Sequence, residues 1–219
     1  MKNDIFSDVY DLNKKFIFTH PPKCGGTSIE NIIGFLELRN EYPNIHAYKH
    51  ASLKMHIDKL AEKNLQLKDF FKFSIIRNPW DRAVSFYNHI KHKEYDYYTI
   101  KRPDKEMPKY VHDSSVMSFK EYVCKYYRND FNSRVSTIPY MFFQNEFFLD
   151  YVIRLEHIEK DILHIKDKLQ IDLSCGVPQV NNIEKFTTRI PYADYYDKET
   201  KNIIGKLFEW DINKFGYTF

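Results

Sequence analysis

Cysteine is scarce in this 219-residue chain, and Cys24, Cys124 and Cys175 are odd in number, far apart and without a C-x-x-C pair. Neither a disulfide framework nor a cysteine zinc site is indicated, and free thiols in a reducing compartment are expected. Glycine (6) and proline (9) are too sparse for a disordered or fibrous chain. No apolar run approaches the roughly 18 residues of a membrane span, and the opening MKNDIFSDVYDLNKK lacks the apolar stretch of a signal peptide. There is no Asn-x-Ser/Thr sequon either. The expectation is a cytoplasmic protein without stable membrane insertion.

Charge of one sign is also lacking. With 33 basic and 30 acidic residues the net charge is +3, too balanced for the footprint of a nucleic-acid binder, so any anion site must be local. What the chain does have is apolar material: 43% hydrophobic residues, with 18 Phe and 17 Tyr. A chain of this length should bury roughly 70% of its unfolded surface. No repeat, low-complexity tract or Gly/Ser linker divides it, so residues 1–219 read as a single domain.

Two strand, loop, helix units stand out. Phe16 to Thr19 predicts a buried strand, and Ile29, Ile32, Ile33 and Leu36 then fall at i, i+3, i+4 and i+7 of a helix. Phe71 to Ile76 predicts a second strand, followed by Asn78 as a cap, Pro79 in the first turn and an apolar stripe of Trp80, Ala83, Val84 and Tyr87. Ser118 with Glu121 forms a capping-box pattern before Phe119, Tyr122, Val123 and Tyr126. A third strand is expected over Val152 to Leu155, a helix over Ile158 to Leu169, and a last helix from about Asp197 to Trp210. The stretch from 91 to 116 shows no clear period and reads as a long excursion. Strands alternating with helices predict an α/β fold on a mostly parallel sheet flanked by helices, with ligands beyond the carboxyl ends of the strands.

The first loop, HPPKCGGTS, spends Gly25 and Gly26 where the strand hands over to the helix. Backbone N–H groups from Lys23, Cys24, Gly25, Gly26, Thr27 and Ser28 can meet an anion there, and the Thr27 and Ser28 hydroxyls add donors. A turn with a helix cap would use the same residues. The ATP-binding pattern GxxxxGK[ST] is not matched, because Lys23 precedes the glycines. The second loop opens SIIRNPWDRAVSFY: Arg77 ends a strand and offers a planar fork suited to phosphate, while Asn78, Arg82 and Ser85 recur at i, i+4 and i+7 as a polar stripe. A helix start with an Asp81–Arg82 surface pair is the alternative.

The two loops resemble those of PAPS-dependent sulfotransferases, particularly the carbohydrate sulfotransferase family, whose patterns run H-x-P-K-x-G-[GS]-[TS] and R-[ND]-P-[WYF]-x-R-x-x-S-x-[YF]. MSFKEYV, IRLEHIEKDI, VPQVNN and the closing YYDKETKNIIGKLFEWDINKFGY are similar to later landmarks of that family. The resemblance implies a P-loop-like three-layer fold and 3′-phosphoadenosine 5′-phosphosulfate (PAPS) as sulfuryl donor, with no metal. It also implies a 3′-phosphate site at Arg77 and Ser85. Lys185, Thr187, Thr188 and Arg189 can close over the nucleotide.

Sulfuryl transfer builds charge on the leaving phosphate oxygen, which Lys23 can stabilise, and an alcohol acceptor must lose a proton. IHAYKHASLKMHI offers His46, His50 and His56. The family often places a His before a small residue and Ser between its two loops, similar to His50-Ala51-Ser52, which implies His50 as base, with Glu30 in reserve. His46 and His56 are expected to be structural or superficial, since HExxH would require Glu at 47, where Ala stands. An oligosaccharide or related small-molecule acceptor is expected, with Tyr95, Tyr97, Tyr98, Lys101, Arg102 and Tyr110 able to contact it. A nucleotide-binding protein or kinase acting on a small molecule remains the competing class.

Overall fold

The computed structural model describes residues 10–11, 15–33, 50–128, 135–170 and 190–219. Its strands are β1 (Tyr10–Asp11), β2 (Phe16–Thr19), β3 (Phe71–Ile76), β4 (Phe142–Phe143), β5 (Glu146–Phe147) and β6 (Tyr151–Arg154). Its main helices are α1 (Gly26–Ile32), α2 (Leu53–Glu62), α3 (Pro79–His89), α4 (Lys109–Val116), α5 (Phe119–Tyr122), α6 (Ile138–Met141), α7 (Ile158–Leu169), α8 (Lys198–Leu207) and α9 (Glu209–Phe215). Two compact units emerge: Met1–Arg77 with Thr137–Phe186, and Asn78–Ser136 with Thr187–Phe219.

The first unit carries a sheet in the order β1-β2-β3-β6. β2 and β3 run parallel with Thr19 opposite Ser74, β3 and β6 run parallel with Ile76 opposite Arg154, and β1 is antiparallel to β2. This is the α/β arrangement expected from alternating strands and helices. The β2 run FIFT is continuously apolar up to Thr19 because both faces are covered. Phe16 and Phe18 join Phe73, Ile29 and Ile162 in one core, whereas Ile17 faces the other way with Leu60 and Phe70. α7 forms where its period predicted, and Ile158, Ile162, Ile165 and Leu169 are all buried. The third strand begins and ends one residue earlier than expected, and Leu155 already belongs to the following 3-10 turn.

The second unit is helical and aromatic. Trp80, Ala83, Val84 and Tyr87 of α3 pack with Phe119, Tyr122, Ile204 and Phe208. Asn78 caps α3 by accepting from Trp80 N–H at 3.0 Å and Asp81 N–H at 3.4 Å, and Pro79 occupies the first turn. The Ser118–Glu121 capping box forms as read. The long excursion does not form as a loop. Helical backbone continues past α3 through wide turns at Ile90–Glu94 and Tyr97–Lys101, and α4 follows. Such i→i+5 turns shift side-chain phase away from 3.6 residues, so no periodicity is visible in the sequence. The last helix divides at Phe208 (φ −109°), a buried ring that ends α8 and starts α9. Among the described residues no helix is long and apolar enough to cross a membrane.

Candidate active site

In the first unit, β2 delivers the chain into the loop at a pinned position. Ser74 Oγ donates to the Thr19 carbonyl at 2.7 Å, and Thr19 Oγ1 donates to the Tyr140 carbonyl at 2.7 Å; both hydroxyl residues are fully buried. Beyond Thr19 the backbone twists into the left-handed region at Lys23 (φ 66°) and again at Gly25 (φ 86°). Gly25 is the N-cap of α1 and has no side chain to offer, so Thr27 and Ser28 lie within the first turn and do not cap it. The helix-cap reading of this loop therefore has no capping side chain. Thr27 is exposed, Ser28 and Lys23 are half-buried, and Cys24 is buried in the core beneath.

The two glycines serve different ends. At Gly25 the positive φ favours a residue without Cβ, and Leu155 Cδ1 would lie 2.6 Å from one. At Gly26 the obstacle is the His20 imidazole, which occupies the space any side chain at 26 would need. Gly26 thus makes room for a neighbouring ring, and not only for the approach of a ligand.

Arg77, at the end of β3, is 5% exposed, and its Nη1 donates to the Lys23 carbonyl at 3.3 Å. The two sequence motifs are therefore joined by a hydrogen bond within one unit. Ser85 lies half-buried on α3 in the second unit. Arg82 is not part of an open polar stripe: it is 3% exposed, with its guanidinium 5.6 Å from the centroid of Phe208. Asn78 Nδ2 likewise turns inward, donating to the Thr218 carbonyl at 2.9 Å.

The histidines separate clearly. His50 is exposed, its Nδ1 is 2.9 Å from the His20 carbonyl oxygen, and its ring stacks on that of His20 with centroids 4.4 Å apart and planes 20° apart. A carbonyl only accepts, so this contact requires the proton on Nδ1 and leaves Nε2 unprotonated in the neutral ring. His20 is buried, and its Nε2 is 3.6 Å from Glu30 Oε1, itself 1% exposed. His20 was not singled out from sequence; the signal that could have found it is the second glycine, one more than the loop's turn requires. His56 is 2% exposed on α2, and burial pushes its imidazole down to about 4, so it stays neutral and structural.

Lys185, Thr187, Thr188, Arg189, His46 and Cys175 lie outside the described residues. Of the aromatic residues in the 91–116 stretch, Tyr95, Tyr98 and Tyr110 pack against the second unit's core, and Tyr110 donates to Glu94 at 3.1 Å. Arg102 is held by Asp104 at 2.8 Å. Tyr97 is exposed, with its ring 5.1 Å edge-on to Tyr98. Among the described residues, no group of three or more His, Cys, Asp or Glu side chains is placed to hold a metal ion.

A family model described as the sulfotransferase family matches residues 9–218 of this chain. The crystal structure of mouse sulfotransferase SULT7A1 complexed with PAP matches it with a TM-score of 0.52 and 12% identity, covering 94% of this chain and 87% of that one. At that identity the likeness concerns the fold. No curated protein sequence matches.

Proposed function

This chain belongs to the sulfotransferase family, and we propose that it transfers a sulfuryl group from PAPS to a hydroxyl of a carbohydrate or related small-molecule acceptor. The observation that carries the reading is the Arg77–Lys23 hydrogen bond. It ties a guanidinium from the end of β3 to the turn after β2, at the carboxyl edge of two parallel strands where α/β folds bind their ligands. The donor set is all cationic or neutral, as a bisphosphorylated nucleotide demands: Lys23 and Arg77 for charge, and the backbone and hydroxyls of Cys24, Gly25, Gly26, Thr27 and Ser28 for hydrogen bonds. Ser85, and Lys185, Thr187 and Arg189, complete the proposed donor site. PAPS, when bound, supplies the sulfuryl group and departs as a bisphosphate.

In this reading the Lys23 ammonium neutralises charge developing at the leaving phosphate oxygen. His50 accepts the acceptor's hydroxyl proton at Nε2, the nitrogen left unprotonated by the Nδ1 contact with the His20 carbonyl. No step calls on a metal ion. The family match spans both compact units, which supports residues 1–219 acting as one sulfotransferase domain. Widely spaced cysteines support a reducing, cytoplasmic setting.

Calorimetry against adenosine 3′,5′-bisphosphate and ATP tests the donor site, and labelled-sulfate transfer from PAPS to a panel of sugars, lipids and phenols tests the reaction. Tighter binding of the bisphosphate and transfer to a sugar hydroxyl are expected. Preference for ATP with Mg²⁺ would overturn the reading in favour of a kinase.

A further inference from the structure

His50 is exposed, and an exposed imidazole ordinarily samples several rotamers and both tautomers. Here three features hold it. The His20 carbonyl accepts a hydrogen bond from His50 Nδ1–H at 2.9 Å. The His20 ring lies flat against it, 4.4 Å away and 20° from parallel. The His20 ring is itself immobilised, since it is buried, abuts the bare Cα of Gly26 and has Nε2 3.6 Å from the buried Glu30 carboxylate.

Burying an imidazole beside a carboxylate costs desolvation on both groups. Phe18, 5.7 Å from the His20 ring, shows that apolar packing is available at this place. A leucine or phenylalanine at 20 would satisfy the core. It could not place a flat ring against His50 that is anchored from behind by a carboxyl group.

From this arrangement we infer that His20 is a positioning residue for His50: Glu30 fixes the plane of the His20 imidazole, and that imidazole, with the His20 backbone carbonyl, fixes the rotamer and tautomer of His50, keeping Nε2 as the proton-accepting atom. The inference rests on the reading of His50 as general base. Glu30, enclosed at 1% exposure, acts through His20 and not on the acceptor.

Two measurements test it. The first needs no substrate: nitrogen-detected NMR of the histidine rings in the wild-type protein is expected to show His50 as the Nδ1–H tautomer, and His20→Gln is expected to mix the two tautomers. A dominant Nε2–H form in the wild type would overturn the inference. The second is a double-mutant cycle in kcat. His20→Gln and Glu30→Leu are expected to lower kcat about 10- to 100-fold, the scale of a misplaced catalytic group. Adenosine 3′,5′-bisphosphate affinity should stay within about two-fold, and Glu30→Gln, which keeps a hydrogen-bonding group of the same shape, should restore most of kcat.

In a His50→Ala background His20→Gln should cost nothing further, because its effect passes through the missing ring. An equal loss in both backgrounds would show His20 to be a packing residue only. Absence of any transfer by the wild type, with a normal His50 tautomer, would instead sink the sulfotransferase reading and leave the positioning geometry standing. Melting curves of each variant separate misfolding from these outcomes, and Glu30→Leu, compared in the wild-type and His50→Ala backgrounds, carries the test if His20→Gln does not fold.

Discussion

The guanidinium of Arg77 donates to the carbonyl oxygen of Lys23 at 3.3 Å, so the residue proposed to meet one end of the nucleotide also holds the turn that meets the other. Lysine at position 77 would keep the charge and lose the fork. Arg77→Lys is therefore expected to weaken adenosine 3′,5′-bisphosphate binding about 10- to 100-fold, the worth of a hydrogen bond to a charged group. Calorimetry reads it directly. Unchanged affinity would remove Arg77 from the donor site.

Lys23 is expected to act on the transition state more than on the ground state. Lys23→Ala should lower kcat roughly 10²- to 10³-fold, the cost of losing one preorganised donor at a developing charge. Bisphosphate affinity should fall far less. Single-turnover transfer of labelled sulfate distinguishes the two, and an equal loss in both quantities would make Lys23 an ordinary binding residue.

Gly26→Ala places a methyl group where the His20 ring stands. Overpacking of this kind costs about 1–3 kcal/mol, and relief by swinging His20 away would also release His50. Both a lower melting temperature and a lower kcat are expected. Gly216, whose Cβ would meet nothing within 4 Å but whose φ is 67°, is the control for backbone strain without crowding.

His56 gives the first unit a definite acid sensitivity. Its folded pKa of about 4 lies below the ordinary 6.5, so between these values the unfolded chain binds the proton and the folded one does not. Stability is complete above about 6.5 and lost as pH falls toward 4, by on the order of 3 kcal/mol for this group. Urea unfolding of the wild type and His56→Leu at pH 7 and pH 4.5 checks it. The variant should be the less pH-dependent of the two.

Asn78 both caps α3 and anchors Thr218, so Asn78→Ala removes two kinds of contact at once. A loss of about 1–2 kcal/mol is expected from the cap alone. Asn78→Asp, which keeps the accepting oxygen but not the donor to the Thr218 carbonyl, should recover only the cap's share in a denaturant titration.

Most of the fold was legible because its elements are locally consistent. β3 and α7 match their expected limits, since FKFSII buries Phe73, Ile75 and Ile76 in a doubly covered strand and Ile158, Ile162, Ile165 and Leu169 keep one helical face. The helical stretch after His89 was not legible: its wide turns break the very period by which a helix is recognised. The α8–α9 division was hidden for another reason, as Phe208 fits the stripe of one helix while its backbone ends it. In the site, the loop type and Lys23 could be read from the order of residues. The His20, Glu30 and His50 cluster could not, because it joins a strand end, a helix interior and a distant segment, and only the fold brings them together.

Lys23 holds a φ of 66°, a conformation in which a lysine is disfavoured on the order of 1 kcal/mol and a glycine is at ease. Lys23→Gly should therefore keep the melting temperature of the wild type, or exceed it, while lacking the ammonium altogether. A campaign that ranked variants by heat resistance would promote this substitution and discard turnover without noticing. At this one position ruggedness and chemistry pull in opposite directions, and the side chain found there marks which of them prevailed.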